Sequence, residues 1–174
     1  MTNPAVQRRL AAILAIDIVG FSRLMGADEE GTLARLKLLR ADLIDPAIAE
    51  LRGRIFKTTG DGILAEFASV VDAVQCAANV QTTIAVREAA APPERRMTLR
   101  VGINLGDIII EGDDVYGDGV NIAARLEGIC EPGSVAISAS AYEQVRDKLP
   151  LRFIDRGEHT VKNIARPVRV YGLD

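Results

Sequence analysis

Two aspartates stand at positions where an acid is costly unless it has a partner. Asp17 closes the apolar run Leu10-Ala-Ala-Ile-Leu-Ala-Ile16, and Asp61 lies between two glycines in Lys57-Thr-Thr-Gly-Asp-Gly62. Burying an ionised carboxylate costs several kcal/mol unless it is paired or binds a metal. Two carboxylates joined by a strand-end carbonyl, that of Ile18, are hard oxygen ligands, which suit Mg or Mn carrying a phosphate. Taken singly, each has an ordinary reading: Asp-Gly is a common hairpin tip, and a strand-end Asp can accept backbone N–H groups.

Whether the two acids can meet depends on the elements that carry them. Leu10–Ile16, with β-branched Ile13, Ile16, Ile18 and Val19 in and beside it, reads as a central strand covered on both faces. Arg54–Lys57 and Ile63–Phe67 are strand-like runs on either side of Gly60-Asp61-Gly62, so that tripeptide is the predicted tip of a hairpin. Gly20-Phe21-Ser22 turns the chain, and the amides of Ile18, Val19, Gly20, Phe21 and Ser22 form a predicted phosphate cradle leading into a helix. Asp28-Glu-Glu30 favours a helix start, followed by Leu33, Leu36, Leu39, Leu43 and Ile44 at helical spacing. Pro46 predicts a kink, or a restart with Asp45 as N-cap.

Farther along, Ser69 caps a second predicted helix whose apolar face runs from Val70 to Ile84. Met97–Asn104 alternates like a strand, and Ile108–Ile110 continues it. Glu111–Asp118 reads as an acidic, glycine-interrupted loop, with Asp118 as the expected cap of a helix beginning near Gly119. On that helix Asn121 and Arg125 are four apart and share a face, which by itself is usually a solvated one. A short strand at Val135–Ile137 and a helix over Ser138–Lys148 follow. Leu151–Ile154, Thr160-Val161 and Val168–Tyr171 are expected terminal strands.

The fold class this order implies is α+β, a ferredoxin-like βαββαβ core with C-terminal helix and strand additions. In that topology the end of the first strand lies beside the hairpin between the second and third, so Asp17 and Asp61 are expected to meet. The 174 residues, 48% of them hydrophobic, suit one domain over residues 1–174. A net charge of −3 argues against broad binding to nucleic acid or anionic membrane. No run reaches the roughly 20 apolar residues that span a bilayer. Cys76 and Cys130 have no metal-ligand spacing and fit a reduced, cytoplasmic setting.

Four short motifs now stand in one order: Asp17-Ile-Val-Gly-Phe21, Lys57-Thr-Thr-Gly-Asp61, Asp114-Val-Tyr-Gly-Asp118 and Asn121-Ile-Ala-Ala-Arg125. Each is weak alone, but the set, on these predicted elements, resembles the class III nucleotide cyclases over nearly the whole chain. The resemblance implies conversion of ATP to 3',5'-cyclic AMP and pyrophosphate with two Mg or Mn ions per site. Under it Asp17 and Asp61 match the metal-binding aspartates, and Lys57 and Asp114 the adenine-selecting pair. Asn121 matches the residue that orients the ribose, and Arg125 the one that stabilises charge on the reacting phosphate. A further C-terminal lysine binds triphosphate in some members; Lys162 and Arg166 lie in the corresponding segment at spacing that does not match cleanly.

The base chemistry agrees with an adenine-selecting pair. Adenine offers an acceptor at N1 and a donor at its 6-amino group, complementing a lysine and a carboxylate, whereas guanine reverses both positions. Lys57 and Asp61 are roughly 13 Å apart along an extended strand, too far for one small metal site. The family resolves this by head-to-tail dimerisation, which here implies a homodimer with two sites. Each site would take Asp17 and Asp61 from one chain and Lys57, Asp114, Asn121 and Arg125 from the other. The alternatives are a cyclase-like module that binds ATP and dimerises without turnover, and a guanylate cyclase, which Lys57 and Asp114 disfavour. A regulatory domain or protein outside this chain is compatible with either.

Overall fold

Alternation along the first strand feeds a core on each face of the sheet. The computed structural model describes residues 6–174. Strand β1 (Val6–Ile18) points Ala12, Leu14, Ile16 and Ile18 into a large cluster on one face of the sheet. Its other side chains, Ala11, Ile13 and Ala15, enter a smaller cluster on the opposite face. This is the period-two consequence of a strand buried on both sides.

The sheet follows from that central strand. β2 (Arg54–Thr59) pairs antiparallel with β3 (Gly62–Phe67), β3 with β1, and β1 with β4 (Leu99–Glu111), giving the order β2-β3-β1-β4. That is the ferredoxin-like arrangement the element order implied. The short β5 (Asp114–Tyr116) turns back on β4, and β6 (Val135–Ser138) joins β4 in parallel. The sheet then ends β6-β8-β7, from β7 (Phe153–His159) and β8 (Val168–Leu173).

The larger core is covered by α1 (Phe21–Ala27), α2 (Glu29–Leu39), α3 (Asp45–Glu50), α4 (Val70–Glu88) and, later in the chain, α6 (Ala139–Val145). Helix α5 (Asp118–Ile129) lies over the opposite face, setting Val120 and Ala123 against β1 and β4. It comes so close that a Cβ on Gly102 of β4 would collide with the backbone of Ala123 and Glu127.

Some local expectations hold, and several change. Asp28 caps α2, its side chain accepting the Gly31 amide, and Ser69 caps α4 through the Asp72 amide. At Pro46 the chain neither restarts nor breaks: Arg40–Ile44 widens into a π turn that absorbs the missing N–H, and Asp45 is helical, its carboxylate held by Arg40 at 3.1–3.2 Å. Asp118 is not the cap of α5. That place falls to Gly117, whose φ of +114° only glycine adopts readily, so the helix begins one residue earlier. Three residues of the expected acidic loop form β5, because Val115 is buried against the smaller core while Asp114 and Tyr116 face outward. Thr160-Val161 lies in the connection between β7 and β8 rather than in a strand.

Candidate active site

The hairpin places Asp61 beside the end of the central strand. Gly60, at φ +58°, makes the tight turn between β2 and β3, and Asp61 follows it. The Asp61 carboxylate accepts the backbone N–H of Ile18 at 2.8 Å. Asp17, one residue earlier, is partly buried at the end of β1. Asp61 is therefore bonded to the residue that follows Asp17, at the strand end where the predicted topology set it.

A cation already attends this pair. Arg100 of β4 is the cross-strand partner of Asp17, and its Nε and Nη2 lie 3.4 Å from the two Asp17 carboxylate oxygens. Arg100 Nη1 also donates to the Gly128 carbonyl of α5 at 3.4 Å. From the same end of α5, Glu127 brings a third carboxyl against Asp17. Burial first, then a hydrogen bond to Asp17 and the charges of Asp17 and Asp61, push the Glu127 carboxyl up to about 8, against a smaller lowering by Arg100. The Glu127 carboxyl thus stands well above the ordinary carboxylate range.

The proposed cradle is narrower than its sequence suggested. The Ile18 amide is taken by Asp61, and the Val19 amide donates to the Thr98 carbonyl at 2.8 Å. Gly20 adopts a left-handed conformation and caps α1, so Phe21 and Ser22 open the helix with amides that lack intrahelical acceptors.

The other candidate residues lie on exposed surface. Lys57 is the cross-strand partner of Leu64, which packs on the smaller core, so the lysine rises from the face that α5 covers. Asp114 is exposed on β5 and accepts a hydrogen bond from Tyr116 Oη at 3.0 Å. Arg54 of β2 donates to the Asp113 carbonyl at 3.3 Å, tying the strand that carries Lys57 to the turn before Asp114. Asn121 and Arg125 share the outward face of α5. Neither residue, nor Lys57, has a side-chain hydrogen bond or ion pair within the chain among the described residues. Lys162 and Arg166 are exposed in the β7–β8 connection, and the His159 ring lies 3.2 Å from the Arg156 carbonyl, a local turn contact.

Residues 5–174 match the family model of the adenylate and guanylate cyclase catalytic domain. The chain belongs to that family. It is 48% identical over 171 residues to a protein of Rhizobium meliloti (strain 1021) provisionally named adenylate cyclase 3, covering 98% of this chain and 29% of that protein. To an adenylate cyclase of Streptomyces coelicolor it is 35% identical over 144 residues, 80% of this chain and 35% of that protein. The crystal structure of an adenylate/guanylate cyclase/hydrolase from Silicibacter pomeroyi superposes with a TM-score of 0.90 at 48% identity, covering 96% of this chain and 97% of that one. The chain thus spans about a third of the length of these curated relatives.

The donor set of this cyclase domain fits a hard divalent cation. Asp17, Asp61 and the Ile18 backbone offer oxygen alone, and among the described residues no group of three or more His, Cys, Asp and Glu forms a ready-made cage. Mg and Mn suit such a pair, because they keep water or phosphate oxygens in their remaining positions. Arg100 and Glu127 were not singled out from the sequence. The strand register that sets Arg100 opposite Asp17 brings together residues 83 apart in sequence. Among the described residues no helix is long and apolar enough to cross a membrane.

Proposed function

We propose that this cyclase domain is an adenylate cyclase, acting as one catalytic domain over residues 1–174 and forming 3',5'-cyclic AMP and pyrophosphate from ATP. The observation that carries the reading is the bond of Asp61 to the Ile18 backbone, next to Asp17, in a chain that also presents Lys57, Asp114, Asn121 and Arg125. The names of the Rhizobium and Streptomyces relatives favour adenine over guanine.

Asp17, Asp61 and the Ile18 carbonyl would hold two Mg or Mn ions. Those ions, when bound, neutralise phosphate charge and make the ribose 3'-hydroxyl more acidic. The side chains do the rest. Lys57 donates to adenine N1, and Asp114 accepts from the 6-amino group. Asn121 orients the ribose so that the 3'-oxygen lies in line with the α-phosphorus. As the new P–O bond forms and the bond to pyrophosphate breaks, Arg125 stabilises charge on the α-phosphoryl oxygens. Arg100, opposite Asp17 on β4, is a further cation that could pair with phosphate. Gly20, Phe21 and Ser22 offer backbone amides to the phosphates, and Lys162 or Arg166 could reach them from the β7–β8 connection.

The unpaired outward face of α5 fits a site completed by a second copy. In the proposed head-to-tail homodimer, Asp17 and Asp61 of one protomer face Lys57, Asp114, Asn121 and Arg125 of its partner, giving two equivalent sites. The test is cyclic AMP formation from Mn-ATP by the purified chain over a wide range of protein concentration, with Asp17→Ala as control. Specific activity that rises with concentration and vanishes in the variant supports the reading. ATP binding by a dimer without product would instead make the domain a non-catalytic module.

A further inference from the structure

The base-selecting carboxylate has a partner that the four motifs leave without a role. Tyr116 Oη donates to Asp114 Oδ2 at 3.0 Å. The two residues are i and i+2 on β5, so they stand on one face of the strand, while Val115 between them is buried. Asp114 is otherwise exposed, and an exposed carboxylate rotates freely. Tyrosine reaches it with a rigid ring, so little conformational freedom is lost in making the contact.

The backbone beneath is held as well. Arg54 donates through Nη2 to the Asp113 carbonyl and through Nε to Glu66 at 2.8 Å. Glu66 is buried at 7% exposure and takes a second cation, Arg9, at 2.7 Å. β5 is thereby anchored to the strand that carries Lys57.

We infer that Tyr116 is a specificity-positioning residue, fixing Asp114 so that one carboxylate oxygen, acceptor only, meets the 6-position of the base. The phenol proton occupies Oδ2 and leaves Oδ1 for an incoming group. An adenine 6-amino group donates to Oδ1, whereas a guanine 6-carbonyl places lone pair against lone pair. A carboxylate free to swing away would relieve that repulsion, and guanine would be tolerated. The Asp114 hydrogen bond, then its charge, raise the pKa of the Tyr116 phenol, with Glu111 acting in the same direction, so the proton stays on the phenol at neutral pH.

This inference rests on the base-selecting role proposed for Asp114, and a double-mutant cycle separates the two. Kinetics are compared for ATP and GTP in the wild-type chain, Tyr116→Phe, Asp114→Asn and the double variant. Tyr116→Phe is expected to lower the ATP-over-GTP ratio of kcat/KM about fivefold, mostly through a lower KM for GTP, the size expected for losing one hydrogen bond to a charged group at an exposed site. Because Tyr116 acts through Asp114, the double variant should match Asp114→Asn alone. An unchanged ratio in Tyr116→Phe, or a double variant worse than Asp114→Asn, overturns the inference. If the wild-type chain binds nucleotide but makes no product, the cyclase reading alone fails, and the same cycle is read from calorimetric dissociation constants. Equal wild-type affinity for ATP and GTP, or binding of neither, overturns the positioning role. An ultraviolet titration gives an independent check: one of the three tyrosines should ionise at lower pH in Asp114→Asn.

Discussion

Asp61 accepts the main-chain N–H of Ile18, so the hairpin tip is bonded to the residue that follows Asp17. One carboxylate oxygen thus fixes where the other can act. The contact joins residues 43 apart in sequence, and it is the step by which a local turn becomes part of a site.

Asn and Ala at position 61 should separate the two jobs of that side chain. Asp61→Asn keeps an acceptor for Ile18, so its stability with chelator present should stay within about 0.5 kcal/mol of wild type, while Asp61→Ala should lose about 1 kcal/mol. Both should lose Mn binding by calorimetry and cyclic AMP formation. Undiminished Mn affinity in Asp61→Asn would remove the metal role.

Arg100→Gln should leave Asp17 facing Glu127 without its cation. The Asp17 and Arg100 side chains are 22% and 30% exposed, so losing the pair should cost about 1 kcal/mol by denaturant titration. Mn binding without nucleotide should not weaken, because the ion no longer competes with the guanidinium. Turnover should fall, with KM for ATP rising. Unchanged KM would confine Arg100 to a structural role.

Glu127 predicts a pH dependence of the metal-free protein. Its folded-state pKa, about 8, lies above the ordinary carboxyl value of 4.5. Its stabilising contribution is therefore complete below the unfolded pKa and is lost as pH rises through about 8. Melting temperatures in chelator should show that decline, and Glu127→Gln should flatten it. A Glu127→Gln profile parallel to wild type would contradict the assignment.

Gly102 is required by packing. Any side chain there meets the α5 backbone at Ala123 and Glu127. Gly102→Ala should cost about 1–3 kcal/mol by overpacking, and it should impair activity by displacing the helix that carries Asn121 and Arg125. A variant as stable and active as wild type would show that α5 can move without consequence.

What the sequence made legible was whatever depends on local pattern. The continuous apolar run of β1, the glycines around Asp61, the acids at Asp28–Glu30 that open a helix and the capping residue Ser69 each declare their structure within a few positions. From these the βαββαβ order, and with it the place of Asp61 beside the end of β1, could be read. The pairing of Arg100 with Asp17 and the approach of Glu127 could not, since both depend on strand register and on how closely α5 settles over Gly102. β5 was hidden for a different reason: three residues in an acidic stretch carry too little periodicity, and only Val115 points inward.

The central claim is a site shared between two copies, and mixing two dead variants tests it most directly. Asp17→Ala removes a proposed metal ligand, and Arg125→Ala removes the cation proposed to stabilise phosphate; each alone should form no cyclic AMP from Mn-ATP. In a mixed dimer one site takes its intact metal half from one variant and its intact Arg125 half from the other. Random pairing should then restore about a quarter of wild-type activity, rising with protein concentration. A mixture as inactive as its parts, under conditions where sedimentation shows mixed dimers, would contradict the shared site.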